Sequence, residues 1–506
     1  MTAVEELRRL SGSYFIDGAF GKSANGAGHE VIDPATEDAI GEIADCSQGE
    51  VEQAIAVANR AQRAWRAETG LLRAERMHEV AARMREMTPL LAEMLTREMG
   101  KPYKECADEV AWSASAIDYY AEIGRHDCGR VMNSNVEGQF HYSVKEPMGV
   151  VVIILPFNYP LVLFCWEAAA ALASGNAVIV KPSELTTLTT LKFMETFEAL
   201  PPGVVQCVSG TGPVGKALVE SADTHMVAFT GGVETGQIVA QACAKSFKPH
   251  LIEASGNDPF IVMPSAPLEV AVRGALFASN LNCGQVCTAG ERFYVHQDIH
   301  DAFVARLVEE TGKLRIGNGL GKVDIGPMVT EKERTRYEGI LARAIEQGAK
   351  VACGGGRPAG FNKGWFVEPT VLTGATPEMD ILNAESFGPV APICQVANFD
   401  EAIERANDSR FGLGATIFTS DLNESTRAVN ELVSGMVWVN APLLDNDAGP
   451  FGGRKFSGIG RQLGAEGLDT FRHTKLAMVD YGCQPQDFWW FPYQDAESFP
   501  NRGGNS

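Results

Sequence analysis

The sequence predicts an α/β fold in which a parallel sheet is covered by helices on both faces. Residues 150–155 and 177–181 are continuous apolar runs, and a stretch with helical periodicity follows each of them. Buried parallel strands have this character because neither of their faces meets water. Runs at 204–208 and 225–229 continue the alternation. Ligands of such sheets bind beyond the carboxyl ends of the strands, so we expect functional residues there.

The rest of the chain extends this pattern. Residues 12–45 predict short strands and turns, and residues 47–122 predict helices with a break at Gly100. Residues 129–147 predict a two-stranded hairpin arm, and a second α/β block begins near Leu251. The further predicted strands are 259–263, 293–296, 366–372, 389–396, 414–418, 435–440 and, last, 474–481.

Composition narrows the classes of function. A chain of 506 residues predicts two or three domains, and a formal charge of −21 argues against nucleic acid or an anionic membrane surface as partner. No signal peptide or membrane span is expected, since the apolar region 149–173 is interrupted by Pro156, Pro160 and Glu167. Eleven cysteines without metal-ligand spacing predict a reducing, cytoplasmic location and no metal site.

The stretch from Asn282 to Gly290 is the strongest candidate for a reactive site. It lies between a helical run and a strand, and Cys287 stands between Gly284 and Gly290. Glycines permit a tight turn whose N–H groups point at one spot, which suits the oxyanion formed when a thiolate attacks a carbonyl. The alternative for a single cysteine is a buried structural residue, so the interpretation depends on its surroundings.

Polar residues and glycines follow the predicted parallel strands. Residues 229–236 follow one strand and open a helix, whose N-terminus suits a pyrophosphate; a packing turn is the alternative. Lys181 and Glu184 suit a ribose, with the lysine as donor and the glutamate as acceptor to a diol. A solvated loop is the alternative there.

Two further side chains are candidates for acid–base and oxyanion chemistry. Glu253 ends an apolar segment, where burial raises a carboxyl pKa and favours a general base. The alternative is a core carboxylate that backbone N–H groups satisfy. The side-chain amide of Asn158 can donate to an oxyanion, and a simple turn asparagine is the alternative.

Taken together, these stretches resemble the aldehyde dehydrogenase superfamily over nearly the full chain, in both order and spacing. The matching segments are Pro156-Phe157-Asn158-Tyr159-Pro160, Lys181-Pro182-Ser183-Glu184, Phe229-Thr230-Gly231-Gly232, Leu251-Ile252-Glu253-Ala254-Ser255-Gly256, Gly284-Gln285-Val286-Cys287, Glu385-Ser386-Phe387-Gly388-Pro389 and Pro450-Phe451-Gly452-Gly453.

The resemblance implies a covalent mechanism for oxidising an aldehyde to its acid. Cys287 would form a thiohemiacetal, with Asn158 and the Cys287 N–H as the oxyanion hole. Hydride would pass to a nicotinamide, and Glu253 would activate the water that hydrolyses the thioester. Retention of Glu253 favours hydrolysis over transfer to coenzyme A. A cofactor-independent thiol acyl-hydrolase is the alternative from another class.

The resemblance also implies a dinucleotide cofactor. Glu184 favours NAD over NADP, because a carboxylate accepts from both ribose hydroxyls and repels a 2′-phosphate. The implied cofactor-binding residues are Lys181, Ser183, Glu184, Thr230, Gly231, Gly232, Gly236, Glu385 and Phe387.

The implied architecture is a Rossmann-like cofactor domain, an α/β catalytic domain and a small β arm for assembly as a homodimer or homotetramer. The expected boundaries are 1–128 with 148–253 for the cofactor domain, 254–456 for the catalytic domain, 129–147 with 474–482 for the arm, 457–473 for a returning helix segment and 483–506 for an aromatic tail.

The substrate is less clear from the sequence. The tunnel wall of the family corresponds to Tyr159, Leu163, Trp166 and Phe451, which suggests an apolar or aromatic aldehyde. Asp445, together with Asp447, suggests as an alternative an amino- or betaine-type aldehyde. A semialdehyde remains a further alternative.

Several positions depart from the family pattern. We expect Ser255 to restrict the swing of Glu253, and Gly232 to loosen pyrophosphate binding in place of a common serine. Cys283 is expected to be a packing residue, with a reversible disulfide to Cys287 as the alternative. The aromatic tail predicts packing on a neighbouring subunit, because its apolar surface would be unfavourable in water.

Overall fold

The structure, a computed structural model, describes residues 2–26, 28–126, 128–486 and 490–492. Its helices are α1 (Ala3–Leu10), α2 (Gln48–Ala67), α3 (Gly70–Met99), α4 (Tyr103–Ile123), α5 (Pro160–Ala173), α6 (Thr187–Phe193), α7 (Gly212–Glu220), α8 (Val233–Ala244), α9 (Leu268–Asn280), α10 (His300–Thr311), α11 (Glu331–Glu346), α12 (Phe399–Asn407), α13 (Leu422–Glu431) and α14 (Gly464–Thr470). Short 3₁₀ helices span Met194–Ala199, Leu281–Gly284, Asp380–Leu382 and Lys455–Ser457.

The strands are β1 (Ser13–Ile16), β2 (Ala19–Lys22), β3 (His29–Ile32), β4 (Ala39–Ile43), β5 (Val131–Met132), β6 (Gln139–Pro147), β7 (Val150–Ile154), β8 (Ala177–Lys181), β9 (Val205–Cys207), β10 (Met226–Thr230), β11 (His250–Glu253), β12 (Asp258–Val262), β13 (Gly290–His296), β14 (Lys350–Cys353), β15 (Thr370–Thr373), β16 (Val390–Val396), β17 (Thr416–Phe418), β18 (Trp438–Val439), β19 (Gly458–Ile459) and β20 (Arg472–Asp480).

The first large sheet has the strand order β19–β11–β10–β7–β8–β9–β1–β2. Its central pairs, from β11 to β9, are parallel, which confirms the predicted parallel sheet. Alternate residues of β7 pack into different hydrophobic clusters, Val151 into one and Val152 into the other. Helices therefore cover both faces, as the continuous apolar runs require. The antiparallel edge strands β1, β2 and β19 were not predicted by that alternation.

The second large sheet has the order β14–β15–β16–β13–β12–β17–β18, and it is parallel except where β14 meets β15. Phe260 and Ile261 in β12 face different clusters, so this sheet is also covered on both sides. The strand predicted at 366–372 was placed too early. Pro369 has no N–H to donate to a ladder, and the Glu368 N–H bonds to the Gly356 carbonyl, so β15 begins at Thr370.

Capping residues set the ends of the long N-terminal helices. Ser47 accepts from the Glu50 N–H while the Glu50 side chain accepts from the Ser47 N–H, so α2 begins with a capping box. Helix α3 ends at Gly100, whose φ of +90° suits glycine, and this confirms the predicted break. Across the described ranges, no helix has the length and hydrophobicity needed to cross a membrane.

The chain divides into two compact units. One comprises Met1–His126 and Pro147–Phe471, and the other comprises Asp127–Glu146 and Arg472–Ser506. Within the smaller unit, β20, β6 and β5 form a three-stranded sheet, where Lys475 pairs with Glu146 at 2.6 Å. The assembly role of this arm and the finer domain boundaries stay predictions. The predicted aromatic tail spans 483–506, of which 487–489 and 493–506 lie outside the described residues, so its packing on a neighbouring subunit stays a prediction.

Candidate active site

The loop before Cys287 has an unusual backbone. After α9, Asn282, Cys283 and Gly284 adopt φ values of +52°, +57° and +73°. The left-handed region is unfavourable for non-glycine residues, so other contacts must hold this turn. A Cβ at Gly284 would collide with the backbone of Gly388, which explains the glycine. The turn brings Cys287 to the end of the loop, just before β13.

Hydrogen bonds connect this loop to the segment after β7. The Asn282 N–H donates to Glu105 on α4 at 3.0 Å, and the Asn282 side-chain amide donates to the Asn158 carbonyl at 3.3 Å. The Asn158 amide in turn donates to the Gln285 carbonyl at 3.1 Å. An amide nitrogen carries two hydrogens, so Asn158 retains one for an oxyanion beside Cys287.

Glu253 lies at the carboxyl end of β11 and lines the same cavity as Cys287. Burial, with the charges of Glu385 and Glu167 adding to it, raises the Glu253 pKa well above its usual range. Burial, reinforced by Glu253, likewise raises the pKa of the Cys287 thiol. Burial therefore disfavours the thiolate, and Glu253 is the buried carboxylate near enough to the thiol to act as its base.

A buried carboxylate that the sequence analysis missed lies behind Glu253. Glu167 on α5 is fully buried and accepts from Thr230 at 3.1 Å and from Gln462 at 2.6 Å. Burial raises its pKa to about 8, and its second oxygen has no hydrogen-bond partner in the described part of the chain. A glutamate inside the apolar helix 160–173 was the available signal, and we had used it only to exclude a membrane span.

Two adjoining cavities are lined by most of the predicted catalytic and cofactor-binding residues. A cavity of about 560 Å³ contains the catalytic candidates and is lined, among others, by Asn158, Thr230, Gly231, Gly232, Glu253, Ser255, Cys287, Glu385 and Phe387. A cavity of about 800 Å³ shares Thr230, Gly231 and Gly232 with it and extends to Lys181, Ser183 and Glu184. Gly236 lines neither cavity; it lies in α8 and packs on Ile252 and Phe229, and its place in the cofactor loop stays a prediction.

The larger cavity has a mixed polar wall. Lys181 is buried and donates to the Pro182 carbonyl at 2.8 Å, and burial lowers its pKa. Glu184 is exposed, and its carboxylate faces the cavity. Lys216 and Lys245 also line this cavity, and neither was among the residues chosen from the sequence. Gly232 is the N-cap of α8, so the start of that helix opens onto both cavities.

A narrower cavity reaches Cys287 from the other side. All five predicted tunnel residues line it, and Trp112, Leu281, Thr288 and Leu443 add to its wall; the predicted set is Tyr159, Leu163, Trp166, Asp445 and Phe451. The rings of Trp166 and Phe451 lie 4.9 Å apart. Burial by the protein atoms around the mouth of the tunnel, followed by the charge of Asp447, raises the pKa of Asp445 to about 7.

The structure bears on three positions discussed from the sequence. Asp447 does not line the tunnel; its carboxylate accepts from Ser115 at 2.5 Å. The Ser255 side chain acts on Glu385, where it opposes the rise in pKa, and its expected effect on the swing of Glu253 stays a prediction. Cys283 is buried with its sulfur 3.8 Å from that of Met328, which favours the expected packing role over a disulfide with Cys287.

Comparison with known proteins places these cavities in context. Residues 20–477 match the aldehyde dehydrogenase family. The betaine aldehyde dehydrogenase of Brucella suis is 37% identical over 476 residues, which cover 93% of this chain and 97% of that protein. A betaine aldehyde dehydrogenase structure from Staphylococcus aureus with NAD⁺ has a TM-score of 0.93 and 33% identity, covering 96% and 99% of the two chains. An E. coli NADP-dependent enzyme has a TM-score of 0.91 and 34% identity, covering 94% and 99%.

Proposed function

The chain belongs to the aldehyde dehydrogenase family, and on this premise we propose its residue roles, its preferred cofactor and its substrate class. The resemblance seen in the sequence is confirmed, as is the fold class. The protein is an aldehyde dehydrogenase that oxidises an aldehyde to the carboxylic acid and passes a hydride to a nicotinamide dinucleotide.

The residues around the two adjoining cavities suit a dinucleotide. The N-terminus of α8 supplies unpaired N–H groups and a partial positive charge for a pyrophosphate. Lys181 and Glu184 would hold the adenosine ribose, and Glu385 the nicotinamide ribose, with Phe387 beside the ring. When bound, the nicotinamide accepts the hydride that leaves the substrate carbon.

The meeting of Cys287, Glu253 and the Asn158 amide in one cavity is the observation that carries the proposed mechanism. The Cys287 sulfur attacks the aldehyde carbon as its proton moves to Glu253. The carbonyl oxygen takes the negative charge and receives hydrogen bonds from Asn158 and the Cys287 N–H. Loss of hydride from that carbon leaves a thioester. Glu253 passes this first proton to solvent and then takes a proton from the water that attacks the thioester. The Cys287 sulfur leaves as a thiolate, which is reprotonated, and the acid is released.

Replacement of Cys287 tests this assignment. We expect Cys287→Ala to abolish aldehyde-dependent NADH formation, measured by NADH absorbance, while the protein still binds NAD in a fluorescence titration. Aldehyde oxidation by the alanine variant would contradict the assigned nucleophile. Ester or thioester hydrolysis by the wild type without any aldehyde oxidation would instead favour the cofactor-independent thiol acyl-hydrolase.

We expect NAD to be the preferred cofactor because of Glu184. Its exposed carboxylate faces the larger cavity, where it can accept from two ribose hydroxyls and would repel a 2′-phosphate. Lys216 and Lys245 line the same cavity and act in the opposite direction. A kcat/KM that is higher with NADP than with NAD would show that these lysines outweigh Glu184.

The proposed substrate is an aldehyde that ends in an ammonium or quaternary ammonium group. Aromatic walls with a carboxylate at the mouth attract a cation, and none of the described residues lining the tunnel is lysine or arginine. The similarity to betaine aldehyde dehydrogenases points the same way. This changes the order reached from sequence, where an apolar or aromatic aldehyde came first.

A neutral aromatic aldehyde is the second candidate, supported by the contact between Trp166 and Phe451. Comparing kcat/KM for betaine aldehyde, an ω-aminoaldehyde, benzaldehyde and succinic semialdehyde separates the classes. The highest value for benzaldehyde would restore the order favoured by the sequence, and the highest value for the semialdehyde would overturn both. Assembly as a homodimer or homotetramer is tested by light scattering on the purified protein.

A further inference from the structure

Glu291, at the start of β13, is a buried carboxylate with four hydrogen-bond donors around it. One oxygen accepts from the Ser386 N–H and from the Asn257 amide, both at 2.9 Å. The other accepts from the Ser386 hydroxyl and the Phe387 N–H, both at 2.8 Å. Three of these donors belong to the loop that carries Glu385 and Phe387 into the catalytic cavity.

That loop is strained and is held at several points. Phe387 has a φ of +46°, which an aromatic residue adopts only where its surroundings enforce it. Arg336 donates to the carbonyls of Glu385 at 3.3 Å and Ser386 at 2.9 Å. The Gly256 N–H donates to the Glu385 carboxylate at 3.1 Å. Glu291 supplies the acceptors on the buried side, since it does not itself line the cavity.

We propose that Glu291 is a positioning residue that fixes the Glu385–Phe387 loop for the nicotinamide end of the cofactor. The inference rests on the proposed function, which assigns Glu385 and Phe387 to that end of NAD. Only a carboxylate provides acceptors for all four donors. A glutamine would turn its own N–H₂ toward two of them and leave buried donors unpaired, which disfavours the loop conformation.

The charge of Glu291 gives the same residue a second effect. Burial raises the pKa of Glu291, and the four hydrogen bonds oppose that shift because they stabilise the ionised form. Glu291 lies close enough to Glu385 for its charge to add to burial in raising the Glu385 pKa to about 8. The nicotinamide ring is cationic in NAD⁺ and neutral in NADH. A negative charge on Glu291, below the loop, therefore favours the binding of NAD⁺ over that of NADH. Removing this charge should reduce the preference for NAD⁺.

The test compares Glu291→Gln with the wild type in three assays. We expect the KM for NAD to rise about tenfold, because unpaired buried donors displace the loop. The ratio of NAD⁺ to NADH affinity should fall. Cofactor-free hydrolysis of p-nitrophenyl acetate should change less than about twofold, because the ester needs Cys287 but not the loop. The shorter Glu291→Asp variant keeps the charge, so we expect it to raise the KM while preserving the affinity ratio.

Glu50→Gln is the matched control. Glu50 is also buried and accepts from the Ala24 N–H at 2.8 Å, the Ser47 N–H at 2.7 Å and the Ser23 hydroxyl at 2.9 Å, and it lines neither cofactor cavity. The Glu50→Gln substitution should lower the Tm without changing the KM for NAD. An unchanged KM in a folded Glu291→Gln would overturn the proposal, as would parallel losses in all three assays. If the glutamine variant does not fold, Glu291→Asp decides: an unchanged KM overturns the proposal. A wild type that reduces no NAD with any aldehyde would refute the proposed function instead.

Discussion

The Cys287 thiol and the Glu253 carboxyl line one cavity, where burial raises both of their pKa values. The negative charges of Glu253 and Asp258 add to the effect of burial on the thiol. The surroundings of Cys287 therefore favour the thiol over the thiolate. In the proposed mechanism Glu253 accepts a proton twice, first from the Cys287 thiol and later from the water that hydrolyses the thioester.

Replacing Glu253 by glutamine should slow both halves of the reaction. Glutamine can take a proton neither from the thiol nor from water, so we expect kcat to fall about a hundredfold or more. Mass spectrometry after mixing with aldehyde and NAD should show that Cys287 is acylated more slowly than in the wild type and that the adduct, once formed, persists. Full turnover by Glu253→Gln, with no acyl adduct, would show that another group acts as the base.

The pKa of Glu167, raised to about 8, predicts how stability depends on pH. The unfolded chain releases this proton near the ordinary glutamate pKa, whereas the folded protein retains it up to its own, higher pKa. Between these two pKa values a rise in pH favours the unfolded chain, so the free energy of unfolding falls. We expect the Tm to fall over that window and Glu167→Gln to reduce the slope. Differential scanning calorimetry at several pH values measures the dependence of Tm on pH. The same dependence in Glu167→Gln and in the wild type would contradict Glu167 as its source.

Substitution of Glu184 should change the choice of cofactor. Glu184→Gln removes the charge that opposes a 2′-phosphate while Lys216 and Lys245 remain in the same cavity. We expect the ratio of kcat/KM for NADP to that for NAD to rise about tenfold, or roughly 1.4 kcal/mol. A ratio equal to that of the wild type would remove Glu184 as the determinant.

Asp445 should matter only for cationic aldehydes. Since it lies at a solvent-accessible mouth, Asp445→Asn should lower kcat/KM for an ω-aminoaldehyde by about threefold to fivefold. Benzaldehyde should be unaffected and serves as the control substrate. With its pKa of about 7, the carboxyl ionises as the pH rises, so the preference for the cationic aldehyde should increase in the wild type. Equal losses for both substrates would indicate a structural role.

Local patterns predicted much of this molecule. The apolar runs at β7 and β8 were located almost to the residue, since a strand buried on both faces shows a nearly uninterrupted apolar run. The strand predicted at 366–372 was misplaced because its first residues bond elsewhere, which no periodicity reveals. The placement of Asp447 at the tunnel failed for a similar reason: the acidity of a loop does not show which way each carboxylate faces.

The sequence by itself determined the two parallel sheets, the nucleophile loop and the family, because these depend on residue type and spacing along the chain. Only the tertiary structure decided that the Gly256 N–H donates to Glu385, that Glu167 lies behind Glu253, and that Glu291 accepts from the loop carrying Phe387. Those relationships join residues far apart in sequence, and a buried carboxylate acquires its pKa and its role from the donors and charges that folding brings to it.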